Sequence, residues 1–142
     1  MIDMEFIEID YKENQKVTGK WLDEDTQLKE PEALKLERDH ISIGVQEDNK
    51  IIGRLSGSIF FNAMHVELFA VDSTVRSKGI GGKLLEKAIE IAKEKKLHFI
   101  TLETMSFNAP KFYQKHGFEI MKEIDDSPLD NTSHFFMFKD IR

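Results

Sequence analysis

Three glycines near position 80 are the residues whose types and spacing point most directly to chemistry. The stretch VDSTVRSKGIGGKLL places Gly79, Gly81 and Gly82 within four positions, although the whole chain has only 8 glycines. Glycine lets backbone N–H groups approach a bulky ligand, and the first turn of a helix leaves those groups without internal partners. Because exposed N–H groups of this kind bind anions, the stretch predicts a phosphate site. The residues of this predicted site are Arg76, Ser77, Lys78, Gly79, Ile80, Gly81, Gly82 and Lys83.

Three nucleotide-binding patterns compete for this stretch. A P-loop, G-x-x-x-x-G-K-[ST], fails twice, because its first glycine position holds Ser77 and its hydroxyl position holds Leu84. The dinucleotide pattern G-x-G-x-x-G matches Gly79 and Gly81 but has Leu84 at its third glycine. Glu103 lies at about the distance where a dinucleotide fold places its ribose-binding acid, so an NAD-type domain stays open as an alternative. The third pattern, R-x-x-G-x-G, is met in full.

Hydrophobic periodicity predicts the elements that must position the glycines. The stretches ISIGVQ and IIGRLSGSIFF alternate around EDNK, which predicts an antiparallel hairpin, and HVELFAV predicts a third strand that ends just before the turn. The helix predicted after the turn carries one apolar stripe, made by Ile80, Leu84, Leu85, Ala88, Ile91 and Ala92. The other predicted elements are a strand over 2–10, two short helices within 12–38, strands over 97–103, 118–124 and 134–140, and a short helix ending at Gly117. Hairpins followed by a strand–helix–strand crossover predict an α/β or α+β fold with a mixed sheet.

Composition excludes several classes of protein. A chain of 142 residues fits a single domain, residues 1–142, and its net charge of −6 attracts neither nucleic acid nor an anionic membrane. The absence of cysteine excludes a thiol nucleophile, and the histidines lack ligand spacing, so we expect no metal. The acidic start and the lack of a long apolar run predict a cytoplasmic protein. We expect it to be a monomer or homodimer.

Two signatures in order give the chain its resemblance to a known family. Arg76, Gly79 and Gly81 meet R-x-x-G-x-G directly after a strand, and about thirty residues on comes ITLETMSFNAPKFYQKHGFE. That second stretch has an Asn after a strand and then F-Y-x-x-x-G-F, carried by Asn108, Phe112, Tyr113, Gly117 and Phe118. With both signatures the chain resembles the GNAT superfamily of N-acyltransferases.

The resemblance implies a fold and a donor substrate. It implies a mixed, mostly antiparallel central sheet of about six to seven strands, flanked by helices on both faces. The donor would be acetyl-CoA, with its pyrophosphate on the glycine turn and with Asn108 among the residues that bind it. The sheet would splay at HVELFAV, leaving backbone groups of Phe69 and Val71 for the pantetheine arm and the thioester oxygen. The acceptor would be the primary amine of a small molecule or peptide, attacking the thioester directly.

Two side chains are assigned catalytic roles by the same resemblance. Tyr113 would be the general acid that protonates the departing thiolate, although an aromatic beside Phe112 is also suited to packing. Glu67 would draw a proton from the acceptor amine, and regular alternation places it on the same side of its strand as His65 and Phe69. A solvated structural role for Glu67 stays open.

The acceptor and even the presence of catalysis are less determined by the sequence. Acidic residues in DDSPLDNTS would favour a cationic amine, but a plain acidic surface is the simpler explanation. A non-catalytic acyl-CoA-binding or regulatory module is the alternative of a different class.

Overall fold

A computed structural model describes residues 3–36 and 38–142, except for the side chains of Arg76, Ser77 and Lys78. The chain forms two compact units that divide after Leu36. None of the described helices is long and apolar enough to span a bilayer.

The first unit contains one long helix, α1 (Tyr11–Lys29), and a short 3₁₀ turn (Pro31–Lys35). The Asp10 carboxylate caps α1 by accepting the N–H of Glu13 at 3.1 Å, and the helix ends before Pro31 because the residue preceding a proline avoids helical geometry. The prediction of two short helices is therefore wrong in detail. The predicted strand over 2–10 is also wrong, because residues 3–10 join no sheet. Alternation alone forms no strand without a neighbour that completes its hydrogen bonds.

The second unit is built on a six-stranded sheet with the order β1-β2-β3-β4-β6-β5. Its elements are β1 (Arg38–Glu47), β2 (Lys50–Phe60), β3 (Ala63–Val71), α2 (Ile80–Glu94), β4 (Phe99–Met105), α3 (Pro110–Lys115), β5 (Glu119–Asp125) and β6 (Ser133–Asp140). All of its strand pairs are antiparallel except β3 with β4. The predicted mixed, mostly antiparallel sheet is confirmed.

The turn between β1 and β2 has the geometry that its residues favour. Asp48 and Asn49 have φ angles of 50° and 65°, so both lie in the left-handed region that a two-residue hairpin turn requires. The predicted antiparallel hairpin is confirmed.

One face of α2 packs on the sheet and closes the core. The helix buries six residues, Ile80, Leu84, Leu85, Ala88, Ile89 and Ala92. All of them except Ile80 belong to one core cluster with strand residues such as Met64 and Ile100. Five of the six predicted stripe residues are buried, and the sixth, Ile91, is partly buried and packs against the core. The helix also buries Ile89, which the predicted stripe does not include. The packed helix fixes the position of the glycines at its own start.

Strand β3 carries an extra residue. In its pairing with β2, Ser56 lies opposite Leu68 and Gly57 lies opposite Val66, so Glu67 has no partner. This β-bulge makes Glu67 and Leu68 both exposed and turns Phe69 toward the core. The prediction that Glu67 and Phe69 share a side of the strand is wrong, because the bulge interrupts the alternation.

Candidate active site

A cleft opens where β3 and β4 separate. The two strands pair only from Ala63 opposite Phe99 to His65 opposite Thr101, and beyond that point they diverge. The space between them has a volume of about 840 Å³ and is bounded by β3, β4, the glycines and α3. The splay expected from the resemblance is therefore present at this strand.

Backbone groups of β3 face the cleft at alternate residues. Asp72 donates its N–H to the carbonyl of Ile52 on β2 at 2.8 Å, which makes this pair a hydrogen-bonded one. Antiparallel pairs alternate, so the backbone N–H and C=O groups of Val71 and Phe69 point away from β2 and toward the cleft. These are the two residues predicted to offer backbone contacts.

The N-terminus of α2 forms the next part of the wall. Gly79 caps the helix with a φ of 71°, a left-handed conformation that side chains other than glycine rarely adopt. Gly79, Gly81 and Gly82 line the cleft, whereas Ile80 buries its side chain in the core. The N–H groups of the first helical turn have no partners within the helix, as an anion site requires.

Asp72 fixes the turn that leads to these glycines. Its carboxylate accepts the backbone N–H of Thr74 at 2.9 Å and the hydroxyl of Thr74 at 2.8 Å, and Lys50 lies 3.3 Å away. These hydrogen bonds, the backbone one first, lower the pKa of Asp72 from 3.8 to about 2. The Asp72 carboxylate therefore stays ionised at any pH where the protein would be assayed.

Helix α3 places Tyr113 in the opposite wall. The Tyr113 ring lies among Phe69, Phe112 and Phe118, at centroid distances of 6.3, 5.3 and 6.0 Å. Burial raises the pKa of the Tyr113 phenol above its usual 10.0, so the hydroxyl keeps its proton at neutral pH. Asn108 lines the cleft beside α3.

Two carboxylates line the cleft, one from each separating strand. Glu67 projects from the bulge on β3, and Glu103 lies on β4. Sequence reasoning treated Glu103 only as a ribose ligand in the dinucleotide alternative. Its place in the cleft depends on the strand splay, which no local pattern around Glu103 indicates.

Glu103 lies between two histidines from neighbouring strands. His134 of β6 contacts one carboxylate oxygen through Nε2 at 2.8 Å, and His65 of β3 lies with Nε2 3.9 Å from the other oxygen. Nδ1 of His65 lies 2.8 Å from the hydroxyl of Thr101. Sequence spacing missed this cluster because the three residues converge only through strand pairing. Among the described residues, no group of three or more His, Cys, Asp or Glu side chains is placed to hold a metal ion.

A second, more open groove of about 800 Å³ follows α2 and meets the cleft at Gly79 and Gly82. Lys83 lies in this groove rather than in the cleft. His116 borders it, with Nδ1 2.7 Å from a carboxylate oxygen of Glu86, and its ring lies 3.4 Å from where a Cβ on Gly82 would be. The glycine at position 82 thus also makes room for the His116 ring.

Most of the predicted site residues therefore share one cleft. Those that line it are Glu67, Phe69, Val71, Gly79, Gly81, Gly82, Asn108 and Tyr113. The predicted side chains of Arg76, Ser77 and Lys78 lie outside the described part of the structure.

Comparison with known proteins identifies the family. The Acetyltransferase (GNAT) family matches residues 4–118, so the chain belongs to this family and is an enzyme of the N-acetyltransferase class. The family assignment and the single parallel strand pair leave no support for the dinucleotide-binding alternative.

Three similar proteins extend this comparison. Blasticidin-S acetyltransferase of Streptomyces morookaense is 34% identical over 92 residues, which are 64% of this chain and 68% of that protein. An acetyltransferase from Bacillus cereus has a TM-score of 0.85 at 29% identity, covering 97% of this chain and 98% of its own. The PaiA N-acetyltransferase of Thermoplasma acidophilum, solved in complex with coenzyme A, has a TM-score of 0.62 at 27% identity, covering 72% of this chain and 62% of its own. The chain spans about half the length of other curated relatives that it matches.

Proposed function

We propose that this protein transfers the acetyl group of acetyl-CoA to a primary amine of a small molecule or peptide. The observation that carries the proposal is the cleft between β3 and β4, which places cleft-facing backbone groups, a glycine-rich helix start and a protonated tyrosine around one space. The proposal treats residues 1–142 as one catalytic domain, acting in the cytoplasm without nucleic acid, membrane or metal.

The donor fits the connected spaces along α2 and β3. The pyrophosphate would accept hydrogen bonds from the N–H groups at Gly81 and Gly82 in the first turn of α2. The pantetheine arm would lie along the backbone of Phe69 and Val71, and the nucleotide would enter the groove that contains Lys83. The glycines stand where the cleft and this groove meet, which supports such a path.

Transfer by direct attack needs a neutral amine, a polarised carbonyl and a proton for the leaving thiolate. A backbone N–H of β3 would polarise the carbonyl, since fixed donors stabilise charge as it develops. Tyr113 would donate its hydroxyl proton to the thiolate sulfur as the carbon–sulfur bond breaks. Glu67 would take a proton from the amine through water. The chain contains no cysteine and so cannot form an acyl-cysteine intermediate, which is consistent with direct attack.

The first experiment measures ligand binding by thermal unfolding. Acetyl-CoA should raise the melting temperature well above the value with NAD or ATP, because a ligand that binds only the native state stabilises it by mass action. The second experiment follows thiol release with and without amines, using blasticidin S, a simple alkylamine and a peptide with a free N-terminus as acceptors.

The two readouts separate the candidate functions. Amine-dependent thiol release supports transfer, whereas binding without any acceleration by amines would leave an acyl-CoA-binding module. Equal melting shifts with acetyl-CoA, NAD and ATP would overturn the proposed donor.

A further inference from the structure

The carboxylate of Glu103 is held in the cleft by hydrogen bonding from outside it. Glu103 lines the cleft and is 42% exposed, while His134 is only 19% exposed and lies 2.8 Å from it. The His134 ring stacks on Phe136 with centroids 4.5 Å apart, which fixes the orientation of the imidazole. The second carboxylate oxygen faces His65 at 3.9 Å, too far for a strong hydrogen bond. Glu103 therefore keeps acceptor capacity toward the cleft.

The charges around this carboxylate favour a positively charged ligand. Among the described residues that line the cleft, Glu67 and Glu103 are the charged ones, and both are acidic. A carboxylate partly removed from water binds an ammonium or guanidinium group through charge-assisted hydrogen bonds. The acceptor amine of the proposed reaction is such a cation at neutral pH.

We propose that Glu103 is the subsite for a cationic group of the acceptor, and that His65 and His134 close this subsite when they become protonated. The inference rests on the proposed function and adds the acceptor's chemical class and the pH control of its binding. Histidine is the side chain whose charge normally changes between about pH 5 and 8. A protonated imidazole at either position would offset the charge of the carboxylate and place a like charge beside the incoming cation.

The other charged groups near Glu103 do not reproduce this control. On β3, Glu67 lines the same cleft and adds negative charge. On β5, Lys122 stands two strands away, in register with Phe136, which itself pairs with Glu103. Across the cleft, Tyr113 keeps its proton and is neutral. His65 and His134 are therefore the ionisable imidazoles in direct range of the Glu103 carboxylate.

The test uses n-butylguanidinium, a cation that stays charged across the pH range and does not act as a nucleophile. Its dissociation constant is measured by protein NMR with the enzyme saturated with coenzyme A, so that no acetyl transfer is needed. We expect Glu103→Gln to weaken binding about tenfold at pH 8, as the loss of one charge-assisted hydrogen bond requires. Wild-type binding should weaken about tenfold between pH 8 and 5.5, and the double variant His65→Gln/His134→Gln should abolish most of that dependence.

Controls separate this inference from the proposed function. His40→Gln changes an exposed histidine on β1, outside the cluster, and should bind n-butylguanidinium as the wild type does. All variants should keep the melting shift produced by acetyl-CoA. Equal binding by wild type and Glu103→Gln, or an unchanged pH dependence in the double histidine variant, would overturn the inference while leaving the proposed transfer intact. If amines do not accelerate thiol release by the wild type, the proposed function would instead be refuted.

Discussion

The two walls of the cleft are built from different chemical resources. The wall formed by β3 and the start of α2 presents mainly backbone groups and glycines, with the carboxylate of Glu67 as the exception, whereas the wall formed by β4 and α3 presents the side chains of Tyr113, Asn108 and Glu103. A backbone wall changes when space or register changes, but a side-chain wall changes when one functional group is removed. Substitutions at the glycines and along the strand of the first wall should therefore affect binding and fold, whereas substitutions of functional side chains on either wall should affect turnover or acceptor choice.

The largest expected effect comes from Tyr113→Phe, which keeps the ring and its aromatic neighbours but removes the proton donor. We expect turnover to fall by roughly 10²–10⁴-fold with little change in the affinity for acetyl-CoA. The raised pKa of Tyr113 also means that wild-type turnover should not fall on the alkaline side until above pH 10.0. Steady-state kinetics with varied acetyl-CoA measure the turnover and the KM of the variant, and the pH dependence of wild-type turnover at saturating acetyl-CoA checks the alkaline limit. A variant that retains the parental rate would make Tyr113 a packing residue.

The next largest effect is expected at Gly57, which lies on β2 opposite the bulge of β3. A Cβ on Gly57 would overlap the carbonyl oxygen of His65 opposite the bulge, and backbone atoms cannot move aside cheaply. Gly57→Ala should therefore lower the free energy of unfolding by about 3 kcal/mol. Chemical denaturation measures the change. Gly19→Ala on exposed α1, where a Cβ meets nothing within 4 Å, is the matched control and should be neutral or stabilising. Equal stabilities for the two variants would contradict this view of the bulge.

A smaller effect is expected at Gly81, on the donor side of the same wall. The nearest atoms to a Cβ there would be in the side chains of Val71, Phe112 and Phe69, at 3.5–3.7 Å, so the fold accepts one added carbon. The two further methyl groups of valine would crowd the turn where the pyrophosphate is proposed to bind. Gly81→Val should raise the KM for acetyl-CoA about tenfold, with Gly81→Ala between it and the wild type. An unchanged KM for the valine variant would move the pyrophosphate away from this turn.

The smallest effect is expected for Glu67→Gln, and it depends on pH. At low pH the acceptor is protonated and needs a base, so the variant should lose several-fold in rate there. At high pH the amine is already neutral and the loss should shrink. The ratio of variant to wild-type kcat/KM across the pH range measures this. A constant ratio would make Glu67 a structural or binding residue.

The sequence was a better guide to the backbone wall than to the side-chain wall. The glycine turn, the strand before it and the helix after it are contiguous, so local rules predict them. The backbone roles of Phe69 and Val71 come from the family resemblance. The bulge at Glu67 has no local signal, which is why the predicted side of Phe69 is wrong. His65, Glu103 and His134 belong to three strands and meet only through the sheet order, which periodicity does not specify.

Because β3 carries one extra residue, the width of the cleft should depend on whether Glu67 is present in the chain. All observed pairs between β2 and β3 on either side of Glu67 could form without it, because Val66 and Leu68 already face consecutive residues, Gly57 and Ser56. Deleting Glu67 would thus preserve the ladder and straighten the strand, since the bend and added twist come from the unpaired residue. A chain shorter by one residue would keep its core and bring the end of β3 back toward β4, narrowing the space in which a thioester could lie.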